Sequence, residues 1–304
     1  MLRIDLGRLD SCFSLESFRS SLYTTTDVIK YYNETTHRDY KILELFTKST
    51  AMHTELIHEN LPYKCNGQLL QLLHILPYMS SKSINVLEIG FGKGTNMIFL
   101  ASLFPRVSFV GIDLIDKHVK YATQQSNDLP NVTFLQGDAK RLPSFSMKFD
   151  VIFCIESLCH LDTDEDIEFF LKNVKELLTP DGKLIIVDGF RKNNYKDDPS
   201  ILEAMNIAES GFRIRRMTSK EQYYSLSRAM GLKIIDDIDL TENAVRFWVK
   251  WWKVGHLFLK FMPFLLRWVM RPETRANFVS IMMVGYALSL GSAEYGVLAV
   301  GNNN

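Results

Sequence analysis

From Ile84 to Asp188 the chain switches repeatedly between two hydrophobic periods, and that alternation constrains the fold more than any other feature. INVLEIG, VSFVGIDL, NVTFLQGD, FDVIFCIES and KLIIVDG are short apolar runs rich in β-branched and aromatic residues, and read as strands. TNMIFLASLF, KHVKYATQQS and DEDIEFFLKNVKELL lie between them and read as helices. Strands joined by helices of this length predict an α/β fold with a parallel sheet wound on both faces. GLKIIDDIDL and AEYGVLAV read as two further strands, so the residues between them form an insertion and not a tail. Residues 1–80 read as helical, with Leu69, Leu72, Leu73 and Leu76 on one face of 66–79, and the final GNNN reads as frayed.

Composition narrows the function. The 35 basic and 35 acidic side chains balance, so the excess cation that a nucleic-acid partner requires is lacking. Cys12, Cys65, Cys154 and Cys159 form no C-x-x-C pair and no zinc spacing, and MLRIDLGRLD holds no apolar run of signal-peptide length. A cytoplasmic protein with reduced thiols is expected, with no metal site.

The strongest local signal is VLEIGFGKGT at Val86–Thr95. Gly90, Gly92 and Gly94 follow a strand and open a helix, where backbone approaches a ligand closely. Thr95 stands where a dinucleotide fingerprint has its third glycine, and Glu88 would repel a pyrophosphate. A cationic ligand would welcome that carboxylate, directly or through water. Asp113 ends the second strand about 20 residues on, where a carboxylate takes both ribose hydroxyls. Asp138, in Gly137-Asp138-Ala139, ends the third strand, placed to accept from an adenine amino group, and the fourth runs into Ile155-Glu156-Ser157. Helix capping is the plainer role for either aspartate taken alone.

Together these residues resemble the class I S-adenosylmethionine-dependent methyltransferases over about Ile84 to Asp188, with E-x-G-x-G-x-G, the ribose acid, the GDA triplet and a Thr179-Pro180-Asp181-Gly182 turn. The resemblance implies a doubly wound, Rossmann-like seven-stranded methyltransferase sheet whose last strand is antiparallel. It also implies S-adenosylmethionine as cofactor, held by Glu88, Gly90, Gly92, Gly94, Asp113, Leu114, Asp138, Ala139 and Ile155. Tyr31-Tyr32, Tyr40 and Ala51-Met52-His53-Thr54 resemble the lid of sterol, tocopherol and related natural-product C-methyltransferases, which adds Tyr32 and His53 to the cofactor residues. Thr54-Glu55 replaces the glycine usual there, and tyrosines that merely pack a helix are the alternative. Four regions follow: a helical lid over 1–80, the methyltransferase core over 81–240, a hydrophobic cap over 241–293 and the last strand with its tail over 294–304.

The acceptor side is expected at Glu156, as orienting group or base, and at His160. The expected reaction is methyl transfer to a hydrophobic small molecule such as a terpenoid, sterol or quinone-like lipid, at carbon first. O- or N-methylation and a non-methylating cyclase are the alternatives. In the insertion, Phe247, Trp251, Val254, Phe258, Phe261, Leu265 and Trp268 recur at helical spacing beside a stripe of Arg246, Lys250, Lys253, Lys260 and Arg267. These cations and Pro263 argue against a membrane span over 246–270, and the apolar run Phe278–Leu290 is too short for one. Three readings stay open: the seam, Trp251 and Phe258 included, lines the acceptor pocket; the helix lies peripherally on a membrane; or the seam packs on the sheet. Self-association into a homo-oligomer stays open too.

Overall fold

The computed structural model describes residues 7, 9–10, 24–36, 53–54, 56, 84–161, 163–192, 198–261 and 271–303. The helix expected over 66–79, Tyr40, Met52, Cys12, Cys65, Leu265 and Trp268 lie outside them. Strands β1 (Asn85–Ile89), β2 (Ser108–Asp113), β3 (Val132–Gln136), β4 (Phe149–Ile155), β5 (Leu178–Arg191), β6 (Leu232–Asp239) and β7 (Ala293–Asn302) form a seven-stranded sheet in the order β3-β2-β1-β4-β5-β7-β6. β1 to β5 are parallel, and β7 is antiparallel to both of its neighbours. The chain runs outward from β1 to β3 and returns to β4 beside β1. That reversal opens a crevice at the carboxyl ends of β1 and β4, where ligands of open α/β sheets bind.

Helices α1 (Thr25–Lys30), α2 (Thr95–Leu103), α3 (Asp116–Gln125), α4 (Asp164–Leu177), α5 (Pro199–Gly211), α6 (Lys220–Ala229), α7 (Thr241–Phe261) and α8 (Pro272–Ser289) surround the sheet. Alternate strand residues part between its faces, as a period of two requires. Val86, Phe109, Val151, Phe153 and Ile185 pack with Met97 and Leu100 of α2 and Ala122 of α3. Leu87, Ile112, Ile152, Cys154 and Leu184 pack with Ile167, Phe170 and Val174 of α4 and Tyr223 of α6. Two boundaries differ from expectation. Thr179–Gly182 belongs to β5 as an irregularity, because Leu178 pairs with Phe149 and Lys183 already with Val151. Gly301 and Asn302 of the terminal GNNN pair with Lys233 and Leu232, so they belong to the sheet.

The insertion sits between β6 and β7, as expected; among its described residues α8 packs on α5 and α7 packs on α8. Their cores meet through Ala204, Ile207, Ala208, Leu259, Ala276, Val279, Met282 and Met283. The helices approach closely: a Cβ on Gly255 would lie 2.6 Å from Met282 Sδ, and one on Gly285 2.8 Å from the Trp248 carbonyl oxygen. This contact fixes the rotation of α7, and it corrects the expected seam. The buried side is Ala244, Phe247, Gly255 and Leu259, while Phe258 and Phe261 are exposed. No helix among the described residues is long and apolar enough to cross a membrane.

Candidate active site

The glycine turn builds the near wall of the crevice. Gly90, Gly92 and Gly94 all adopt positive φ (78°, 57° and 74°), a region in which a Cβ is strained. Gly90 is the tightest, since a Cβ there would lie 2.2 Å from that of Ser157. Gly90 and Gly92 face the crevice. Gly94 is not among the residues facing it: it is the left-handed N-cap of α2, where a Cβ would lie against Ala122 and Phe134.

Glu88 sits one layer behind the wall, 1% exposed. Its Oε1 accepts from Asn96 Nδ2 at 2.9 Å, and Asn96 in turn lies 3.2 Å from His53 Nε2. Asn96 and His53 face the cavity. Oε2 of Glu88 is buried with no hydrogen-bond partner, and burial, with a smaller push from Asp113, raises the carboxyl to about 8. A carboxyl so placed is stabilised by an arriving cation.

Asp113 faces the cavity and also fastens the turn. Oδ2 accepts from Gly92 N–H at 2.8 Å, and Oδ1 from Ile115 N–H at 2.9 Å. His118 Nδ1 stands 3.2 Å from the same Oδ1, while its Nε2 is buried and has no partner. The sequence analysis passed over His118 and Asn96. Leu114, Asp138, Ala139 and Ile155 line the same cavity as expected, and Asp138 Oδ1 caps Lys140 N–H at 2.9 Å.

The far wall is built by β4 and the lid. Helix α1 carries a capping box at Thr24 and passes directly into a π-helical turn, Tyr31–Thr36. Tyr31 O–H donates to Asn277 of α8 at 2.7 Å, which ties the lid to the insertion. Tyr32 O–H lies 3.0 Å from His160 Nε2. With its proton on Nδ1 the neutral ring accepts from Tyr32 through Nε2, and with the proton on Nε2 it donates to the Tyr32 oxygen. Burial, with a smaller push from Lys140, lowers His160 to about 4. The ring is neutral at pH 7.

Glu156 has φ 47°, a left-handed conformation costly for a residue with a Cβ. That twist turns the side chain toward the lid. Its Oε1 accepts from Thr54 N–H at 2.8 Å and from Tyr295 O–H at 2.7 Å, and burial raises its pKa. Asp188, at the end of β5, is pushed up to about 8 by burial and then by Glu156. Tyr295 and Asp188 were also missed, because neither carries a motif.

Two cavities result. The first encloses about 1290 Å³, open mouth included, among the glycine turn, Asp113, Asp138, His118 and Tyr32. The second, about 930 Å³, lies between the lid and the insertion and is lined by Met205, Phe212, Met217, Trp248, Leu288 and Tyr295 among others. Trp251 and Phe258 do not line it; α7 contributes Trp248. Both cavities are bordered by Tyr32, Glu156 and His160. Among the described residues no cluster of His, Cys, Asp and Glu could hold a metal.

The glycine turn with a buried acid behind it, Asp113 at the end of β2 and an adjoining apolar cavity form one composite site at the carboxyl edge of the sheet. Residues 86–182 match the family model described as a methyltransferase domain. The erythromycin 3''-O-methyltransferase of Saccharopolyspora erythraea is 26% identical over 180 residues, covering 57% of this chain and 58% of that protein. The chain spans about half the length of the curated relatives it matches. Among solved structures, the cyclopropane synthase MmaA2 of Mycobacterium tuberculosis superposes with a TM-score of 0.72 at 14% identity, covering 92% of this chain and 99% of that one. The geranyl diphosphate C-methyltransferase of Streptomyces coelicolor, solved with S-adenosyl-L-homocysteine, gives 0.64 at 14%, covering 91% and 97%. Residues 86–182 thus form a methyltransferase domain, set within a fold shared with these solved structures.

Proposed function

We propose that this protein transfers a methyl group from S-adenosylmethionine to an oxygen of a hydrophobic small molecule. The observation that carries the reading is the border of Tyr32, Glu156 and His160 between one polar and one apolar cavity. The orphaned Oε2 of Glu88 and the open glycine turn fit a cationic donor. When bound, that donor supplies an electrophilic methyl on a sulfonium. Asp113 and His118 hold the ribose, Asp138 and Leu114 the adenine, and the lid over 24–36 with His53 excludes water. The insertion over 241–293 caps the acceptor.

Neutral His160 takes the proton that the acceptor loses, through Tyr32 or in its place. A histidine lowered to about 4 is a weak base, yet it suffices, because an oxygen that is gaining a methyl becomes far more acidic than an imidazolium. Glu156, held by Thr54 and Tyr295, orients the acceptor. The erythromycin relative is an O-methyltransferase by name, which agrees with an oxygen acceptor. Carbon, expected from the resemblance, is the second reading. It is favoured by Tyr31, Tyr32, Phe212, Trp248 and Tyr295 around the second cavity, whose ring faces would steady a carbocation formed on a terpenoid, sterol or quinone-like acceptor.

The test is incubation with methyl-labelled cofactor and a panel of apolar alcohols, phenols and alkenes, with the labelled atom located by NMR. His160→Asn should lower kcat roughly a hundredfold and leave cofactor affinity, read by calorimetry, unchanged. A chain that binds no cofactor, or a converted acceptor without label, would overturn the reading; the latter indicates a cyclase. Label on carbon would install the second reading.

A further inference from the structure

The outward side of α7 carries two bands that the acceptor cavity does not use. Arg246, Lys250, Lys253 and Lys260 are exposed along it. Beside them Leu257, Phe258 and Phe261 are 57%, 38% and 68% exposed, and Trp251 and Val254 are half-buried on the same flank. At 100° per residue Phe258, Phe261, Trp251 and Val254 lie side by side with the cation stripe, and Leu257 falls within it. The sequence has no acid from Asn243 to Pro272, so nothing on this stretch repels an anion. On the opposite side of the same helix, Trp248 forms part of the wall of the second cavity.

We propose that this side of α7 docks on an anionic bilayer surface, with Leu257, Phe258 and Phe261 in the acyl boundary and the lysines among the headgroups. A helix with an apolar band flanked by lysines is held by both terms at once, apolar burial and attraction to anionic lipid. Large exposed apolar side chains grouped on one face mark an interaction surface. The charge selects the partner: a neutral apolar protein surface would bury the lysines at a cost, whereas anionic headgroups neutralise them. The inference adds to the proposed reaction a route for the acceptor, since one helix separates the bilayer from the cavity. Docking itself does not depend on that reaction.

Vesicle flotation with the full chain tests it, comparing phosphatidylcholine alone with phosphatidylcholine containing phosphatidylglycerol. Binding to the anionic vesicles only is expected, and it should fall with salt. K250Q/K253Q together should weaken it roughly thirtyfold, at about 1 kcal/mol per cation. F258S/F261S should weaken it as well, while K250Q/E242Q should act no more strongly than K250Q alone. These side chains are exposed, so circular dichroism and cofactor calorimetry should match the unaltered chain and exclude misfolding. Equal binding to both vesicle types, no binding to either, or a dimer in gel filtration that F258S/F261S dissolves, would overturn the proposal. Cofactor binding, measured separately, reports on the methyltransferase reading whatever the vesicles do.

Discussion

Glu88 shows how a single residue couples fold to ligand. Its carboxyl is raised from 4.5 to about 8, so the folded chain holds a proton that the unfolded chain has released over that range. Stability therefore falls as pH rises from about 4.5 to 8, and Asp188, raised from 3.8 to about 8, acts in the same direction. His160, lowered from 6.5 to about 4, acts in the opposite one: its contribution is lost as pH falls through that window. Glu88→Gln should flatten the alkaline loss, seen in urea midpoints measured across pH. A cation bound beside Glu88 lowers its pKa, so cofactor binding at pH 7 should expel a proton. Calorimetry in buffers of different ionisation enthalpy should show that proton for the unaltered chain and none for Glu88→Gln; equal heats in both would end the argument. At this scale the sequence showed what a motif or strand end marks, namely Glu88, Asp113, Asp138, Glu156 and His160. It could not show Asn96, His118, Asp188 or Tyr295, whose roles arise from distant contacts such as the bond between Tyr295 and Glu156.

Among the elements, the strands and their helices were legible because a period of two and a period of 3.6 leave different imprints. The orientation of α7 was not. Phe247, Trp251, Val254 and Phe258 recur on one face in the sequence, but of these the helix buries only Phe247, and it buries Gly255 as well, because only a side without a Cβ lets α8 come near. Close approach outranks residue size at such a contact. Trp248, not Trp251, consequently reaches the second cavity. Trp248→Ala should raise the acceptor's KM about tenfold, corresponding to roughly 1–2 kcal/mol of lost apolar contact, while Trp251→Ala should leave it nearly unchanged with a soluble acceptor. The reverse order would return the seam to the pocket. The turn is subject to a similar test: Gly90→Ala would place a Cβ against Ser157 at positive φ, and should cut both thermal stability and cofactor affinity, with the urea midpoint as the readout.

For the whole molecule, a seven-stranded sheet with an antiparallel last strand follows from the resemblance, and the pairing bears it out. Described residues of the lid, the core and the insertion meet at one place, where Tyr31 bonds Asn277, Tyr32 meets His160 and Thr54 meets Glu156. A ligand that binds there stabilises all three regions together. At a hundredfold excess over Kd the cofactor should add about 2.7 kcal/mol to unfolding stability, visible as a raised Tm. It should also protect 24–36 from hydrogen exchange along with the core. Protection confined to the core would separate the lid from the cofactor.

The placement of the insertion has one further consequence. β6 and β7 are hydrogen-bonded neighbours running in opposite directions, with Asp239 opposite Gly296, so everything from Leu240 to Ser292 is topologically the loop of a hairpin. Loop length is a weak thermodynamic variable, and the two strand ends remain adjacent whatever the loop contains. One part of the second cavity's wall, with Trp248, Val284 and Leu288, is thus written on a detachable page: it could be lengthened, shortened or transplanted between chains, while the glycine turn and Asp113 at the ends of β1 and β2 stay as they are.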